Sequence, residues 1–127
     1  MVIDSSVIVA VALDEPEAPA FERRIVEDPV RLVSAATLLE AAIVIEARYG
    51  DAGGRELDRW LSSIGAEIIP VDLALVEAAR RAWRKFGKGR HTAGLNFGDC
   101  FSYALAKSRG EVLLYKGNDF SKTDIAG

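Results

Sequence analysis

Apolar positions along this chain repeat with two periods, and their alternation predicts the architecture. Val2-Ile3 is a short apolar run closed by Asp4, as expected of a buried strand. Val7 to Leu13 is apolar enough for a buried helix. Asp14-Glu15-Pro16 then marks a stop and a new start, with a second helix running to about Glu27. Asp28-Pro29 breaks it, and Val30 to Val33 reads as a second strand. Ala35 to Tyr49 is apolar almost all round, which predicts a helix deep in the fold, ended by Gly50. Gly53-Gly54 opens another amphipathic segment through Trp60, Leu61 and Ile64. Glu67 to Val71 is a third strand, and Asp72 is placed to cap a helix through Trp83 and Phe86. A loop rich in glycine and cations, Gly87 to Leu95, precedes a helix over Gly98 to Arg109. Val112 to Tyr115 reads as a fourth strand, and Asp124-Ile125 as the place for a short fifth. Strands alternating with helices imply right-handed crossovers, hence an α/β fold: a largely parallel sheet of four to five short strands with helices on both faces.

Composition narrows the class. A chain of 127 residues, half of them hydrophobic, is long enough for one well-buried domain over 1–127. No apolar run reaches the length of a membrane span, and no basic segment precedes the first apolar stretch, so neither a membrane association nor a signal peptide is expected. The single cysteine, Cys100, excludes an internal disulfide; it is expected in the core of a cytoplasmic protein. A net charge of −3 argues against a protein that coats nucleic acid, while leaving room for a local basic patch.

Four acids stand where such a fold forms its crevice, at the carboxyl ends of the strands. Asp4 follows strand one, Glu40 lies in the first turns of the next long helix, Asp99 opens the helix after the basic loop, and Asp119 follows strand four. Each has a plainer reading. Asp4 would cap the helix starting near Ser5, and Thr37 to Glu40 would form a capping box. Asp99 would favour a helix dipole, and Asp119 a turn. Convergence changes the balance. Carboxylates about 5 Å apart repel by roughly 3 kcal/mol per pair at an effective dielectric near 20, so a cluster of four calls for cations. Oxygen ligands without a His or Cys cluster point to Mg²⁺ or Mn²⁺ and to phosphate chemistry.

Val2-Ile3-Asp4-Ser5-Ser6, Glu40 within Ser34 to Glu46, Asn96-Phe97-Gly98-Asp99-Cys100 and Leu113 to Phe120 together resemble the PIN-domain ribonucleases of the VapC toxin type. The resemblance spans the chain and implies a three-layer PIN-like fold. It also implies Mg²⁺- or Mn²⁺-dependent RNA cleavage by Asp4, Glu40, Asp99 and Asp119, with Ser6 and Asn96 in support. A homodimer held neutral by a VapB-type antitoxin is expected. Many relatives carry an acid where Asn118 stands, so Asn118 and Asp119 compete for the fourth position, with Asp124 a distant alternative.

Arg80 to His91 is the densest positive stretch of an acidic chain and runs into Asp99. Lys88, Arg90 and His91, on the glycine-containing loop, are the expected RNA contacts, and Arg80 to Lys85 equally fits a solvated helix end. Trp60 and Trp83 are expected in the core or at a dimer interface. Three rival readings remain. A receiver-like Mg²⁺-binding domain would want paired acids after strand one, where Ser5 and Ser6 stand, and a dehalogenase-like phosphatase an Asp in place of Ser6. A non-catalytic PIN-like module that binds RNA or protein is the other alternative.

Overall fold

The computed structural model describes all of residues 1–127. Four strands, β1 (Val2–Ile3), β2 (Leu32–Ser34), β3 (Glu67–Ile69) and β4 (Leu113–Leu114), form one sheet in the order β3-β2-β1-β4. Every pairing is parallel, as the alternation predicts, with Val2 opposite both Leu32 and Leu113. Side chains alternate across the sheet and so divide the core. Val2, Leu32 and Leu113 pack with α4 (Leu73–Phe86) and α5 (Phe97–Arg109). Ile3, Val33 and Leu114 pack with α1 (Ser5–Ala12), α2 (Ala18–Glu27) and α3 (Ala35–Ser63). The result is three layers.

The order of strands positions the site. The chain lays β2 and β3 to one side of β1 and then returns to place β4 on the other, so the crossovers change direction between β1 and β4. A crevice opens at the carboxyl ends of two such strands. Asp4 follows β1 and its backbone N–H donates to Leu114 of β4 at 3.0 Å.

Several boundaries differ from expectation, each for a local reason. β2 begins later than Val30 because Asp28 Oδ1 takes the Val30 amide at 2.9 Å, closing a turn there. β3 stops at Ile69 because Pro70 has no amide to donate. The proline of the first turn of α2 is Pro19, not Pro16. No fifth strand forms. Ala126 accepts one bond from Leu113 N–H at 2.8 Å, but the Ile125 amide turns to the Thr123 hydroxyl, so the tail bends away from a ladder. Gly50 breaks α3 into two arms at φ 66°, ψ −160°, a conformation that a side chain would oppose. Gly53-Gly54 lies inside the second arm rather than at its start, where a Cβ on Gly53 would sit 2.7 Å from Tyr49 Cβ.

The first arm of α3 is not deep. Only Thr37, Ala41 and Ile45 are buried there, while Leu39 and Ile43 are 61% and 60% exposed. Apolar content predicts burial only when every face meets a partner, and one face of this arm meets none within the chain.

Candidate active site

Asp4 is buried and held at both oxygens. Oδ2 accepts from the Ser6 backbone N–H at 3.1 Å and the Ser6 hydroxyl at 2.7 Å; Oδ1 accepts from the Ser102 hydroxyl at 2.6 Å. Capping α1 and presenting a carboxylate to the crevice are therefore one arrangement. The Ser6 hydroxyl also accepts from Lys116 N–H at 2.9 Å, which ties the end of β4 to the same acid. Ser102 lies 3.2 Å from the Thr37 hydroxyl, and both are buried. Since the Ser102 proton goes to Asp4, Thr37 is the donor of that pair.

Ser102 and Thr37 were not singled out by sequence reasoning. A signal existed for Ser102, a lone hydroxyl within the buried run Cys100 to Ala106, three residues after Asp99 on the same helix. The Thr37 to Glu40 capping box does not form. Ser34, the last extended residue of β2, takes the Ala36 amide at 3.3 Å and starts the helix three residues earlier. Thr37 then falls inside the helix, and Glu40 is released from any capping duty.

Asp99 and Asn96 form the capping box that opens α5. Asp99 N–H donates to Asn96 Oδ1 at 2.9 Å, and Asn96 N–H donates to Asp99 Oδ2 at 3.0 Å. The Asp99 carboxyl is pushed up to about 7. Burial is the main cause, opposed by the Asn96 amide and reinforced by the charges of Asp4 and Asp119 and a hydrogen bond to Asp119. Next to Asp99, the Cys100 thiol is raised to about 11 by burial and by that acid; as expected, it is a core residue.

Glu40 approaches from α3. Its carboxylate lies against Gly98, where a Cβ would come within 2.7 Å of Glu40 Cδ. Gly98 keeps ordinary helical geometry, so glycine is needed there for space and not for backbone freedom. Asn118 is exposed and engages Ser121 through its carbonyl, at 2.7 Å from the Ser121 hydroxyl. Asp124 instead accepts from the Tyr103 hydroxyl and pairs with Lys85 and Lys107, committing it elsewhere.

As placed, no three Asp, Glu, His or Cys side chains surround a point closely enough to hold a metal ion. Asp99 feels the charges of Asp4 and Asp119, so these acids are neighbours without forming a closed shell. Glu40 and Asp119 are bound by no backbone amide or hydroxyl, leaving them free to move inward. The side chains are all oxygen donors, two of them rigid and two adjustable, and a cation would relieve their mutual repulsion. That set suits a hard divalent ion.

The loop over Gly87 to Leu95 is closed by Lys88 N–H to Leu95 and Leu95 N–H to Phe86, both at 2.9 Å. Lys88 is exposed and makes no ion pair. Arg90 stacks 4.8 Å over the Trp83 ring and donates Nε–H to the Arg84 carbonyl at 3.2 Å. Trp83 is therefore a surface residue, 44% exposed, and not part of the core. His91 packs edge-on to Phe86 at 5.0 Å, and its Nδ1 accepts from Ala93 N–H at 2.9 Å, so its ring holds the loop closed. No helix is long and apolar enough to cross a membrane.

Comparison with known proteins gives the chain its family. The family described as PIN domain matches residues 1–126. A ribonuclease VapC of Mycolicibacterium smegmatis is 56% identical over 126 residues, covering 99% of this chain and 98% of the relative. Ribonuclease VapC30 of Mycobacterium tuberculosis H37Rv is also 56% identical over 126 residues, covering 99% and 96%. Among solved structures, the sarcin-ricin loop cleaving toxin VapC20 of M. tuberculosis superposes with a TM-score of 0.79 at 20% identity, covering 98% and 95%. A toxin-antitoxin complex from Klebsiella pneumoniae gives 0.71 at 14% identity, covering 97% and 92%. At those identities the two structures speak for the fold. With the family matched over nearly the full length and relatives at 56% identity, the chain belongs to the PIN-domain family, in its VapC group.

Proposed function

We propose that this protein is a divalent-metal-dependent endoribonuclease toxin, with Asp4, Glu40, Asp99 and Asp119 as its metal-binding and catalytic acids. The observation that carries the reading is the pair of buried acids, Asp4 and Asp99, set beside Asp119 where the connections leaving β1 and β4 part. The VapC relatives are named as ribonucleases, which supports RNA as the substrate class. When bound, Mg²⁺ or Mn²⁺ supplies Lewis acidity, lowering the pKa of water and neutralising phosphodiester charge. Asp4 is the fixed oxygen donor, aimed by Ser6 and Ser102. Asp99, once ionised, presents a carboxylate oriented by the Asn96 amide. Glu40, in the space left by Gly98, and Asp119 adjust to complete the donor set. Asn96 and Ser6 thus act by orientation, and Asn118 by shaping the turn that carries Asp119. Lys88, with Arg90 and His91 around it, draws the RNA backbone toward the acids.

A VapB-type antitoxin is the proposed inhibitory partner. A cavity of 510 Å³ between α1 and both arms of α3, lined by Ile8, Val11, Ile45, Tyr49, Leu57 and Trp60, offers an apolar seat for a partner helix. The exposed Leu39 and Ile43 supply a surface for a homodimer, which light scattering of the purified chain would detect.

The deciding experiment is cleavage of a labelled RNA pool with Mg²⁺, Mn²⁺ or EDTA. Wild type should cut only with metal, Asp4→Ala and Asp99→Ala should fall to background, Glu40→Gln nearly so, and Asp119→Asn should be milder. Equal cleavage by wild type and Asp4→Ala would return the chain to a non-catalytic module.

A further inference from the structure

The groove between α4 and α5, of 350 Å³, carries a charge arrangement that the acidic crevice does not use. Arg81 and Lys85 line it from α4, Tyr103, Lys107 and Ser108 from α5, and the tail contributes a single acid, Asp124. Lys85 and Lys107 approach Asp124 Oδ2 at 3.6 and 3.4 Å, while the Tyr103 hydroxyl donates to Oδ1. Tyr103 is itself more than nine-tenths buried, so its hydroxyl is a fixed donor aimed out of the core. Arg81 has no acidic partner. Two lysines and a buried hydroxyl thus converge on one carboxylate, with Arg81 beside them, an oxyanion receptor already holding an oxyanion.

Position gives the receptor a purpose. Asp99, Tyr103 and Lys107 stand at i, i+4 and i+8 on α5, one stripe of the helix that leads from the acidic crevice to the groove. Eight residues at about 1.5 Å each separate its ends by roughly 12 Å, a few nucleotides of strand. Both lysines and Asp124 are open to solvent, by 65%, 46% and 44%, and ion pairs so exposed contribute little, so the carboxylate is easily exchanged for another oxyanion.

We propose that the α4–α5 groove binds a backbone phosphate of the RNA away from the scissile bond, and that Asp124 occupies the phosphate position when RNA is absent. The inference rests on the ribonuclease reading and extends it to a second contact with the same substrate. Asp124 competes with RNA there and so weakens non-productive association.

Fluorescence anisotropy of a labelled single-stranded RNA in EDTA, over a salt series, tests this on the full chain. Lys85→Ala with Lys107→Ala should weaken binding by about tenfold and make the log–log salt slope shallower by about 0.7, the share of the one phosphate no longer neutralised. Asp124→Asn should tighten binding by about threefold. Arg23→Ala with Arg24→Ala removes the same charge from the exposed surface of α2 and should change neither affinity nor slope appreciably. The proposal is overturned if the groove pair behaves like the α2 pair, or if Asp124→Asn binds no more tightly, as expected of a groove that serves a protein partner. Cleavage in Mn²⁺ separates the two readings. Wild type that cuts RNA while groove variants bind normally defeats this inference alone. Wild type that fails to cut while groove variants shift RNA binding defeats the ribonuclease reading alone.

Discussion

Asp99 holds its proton to about 7 in the fold against 3.8 ordinarily, and the sign of the consequence follows. Below about pH 4 both folded and unfolded chains carry the proton, and nothing is lost. Between pH 4 and 7 the unfolded chain ionises first, so stability falls as pH rises; above 7 the penalty is constant, at most about 4 kcal/mol. In EDTA, Asp99→Asn should therefore melt higher than wild type at neutral pH and show a flatter decline between pH 4 and 7. Denaturant titrations across that range check it, and parallel pH profiles would remove the buried charge from the account. Ser102 makes a different forecast. Its hydroxyl aims Asp4 without reaching the crevice, so Ser102→Ala should weaken Mn²⁺ binding in calorimetry by about 10- to 100-fold, with Ser102→Thr restoring part of it. An unchanged Mn²⁺ affinity would reduce Ser102 to packing.

At the scale of elements, the basic loop is more rigid than its glycines suggest. Its ends are bridged between Gly87 and Leu95, and Arg90 and His91 are both engaged with α4. A loop already closed loses little entropy on binding, which favours its use as a fixed phosphate contact. Lys88→Ala with Arg90→Ala should flatten the salt dependence of RNA binding by about 1.4 in log–log slope and leave Mn²⁺ affinity unchanged. A slope equal to wild type would return both to the solvated surface. The periodic pattern anticipated this loop and every helix, because each is encoded by residues adjacent in sequence. It misplaced the ends of β2 and β3, where the Asp28 side chain takes an amide and Pro70 has none to give, but it placed the break between the two arms of α3 at Gly50.

For the molecule as a whole, folding brings Asp99 within electrostatic reach of Asp4 and Asp119 and sets Glu40 of another layer against Gly98. A cation that binds only the native state stabilises by RT ln(1 + [L]/Kd), about 2.7 kcal/mol at a hundredfold excess, or on the order of 10 °C in Tm for a domain of this size. Mn²⁺ should raise the wild-type Tm on that scale and Asp99→Asn by clearly less; equal responses in thermal melts would dissociate Asp99 from the metal. What the sequence determined by itself was the α/β class, the parallel sheet, and Asp4 and Asp99 at their strand and helix ends, because period, capping residues and breaks are local properties. Tertiary structure decided the rest. It set Ser102 of α5 on Asp4 across 98 positions of sequence and fitted Glu40 into the space at Gly98. It also drew Asp124 away to Lys85 and Lys107, and left Leu39 and Ile43 facing outward. Those outcomes depend on which surfaces meet across the sheet, and distant surfaces meet only once β4 has crossed to the far side of β1.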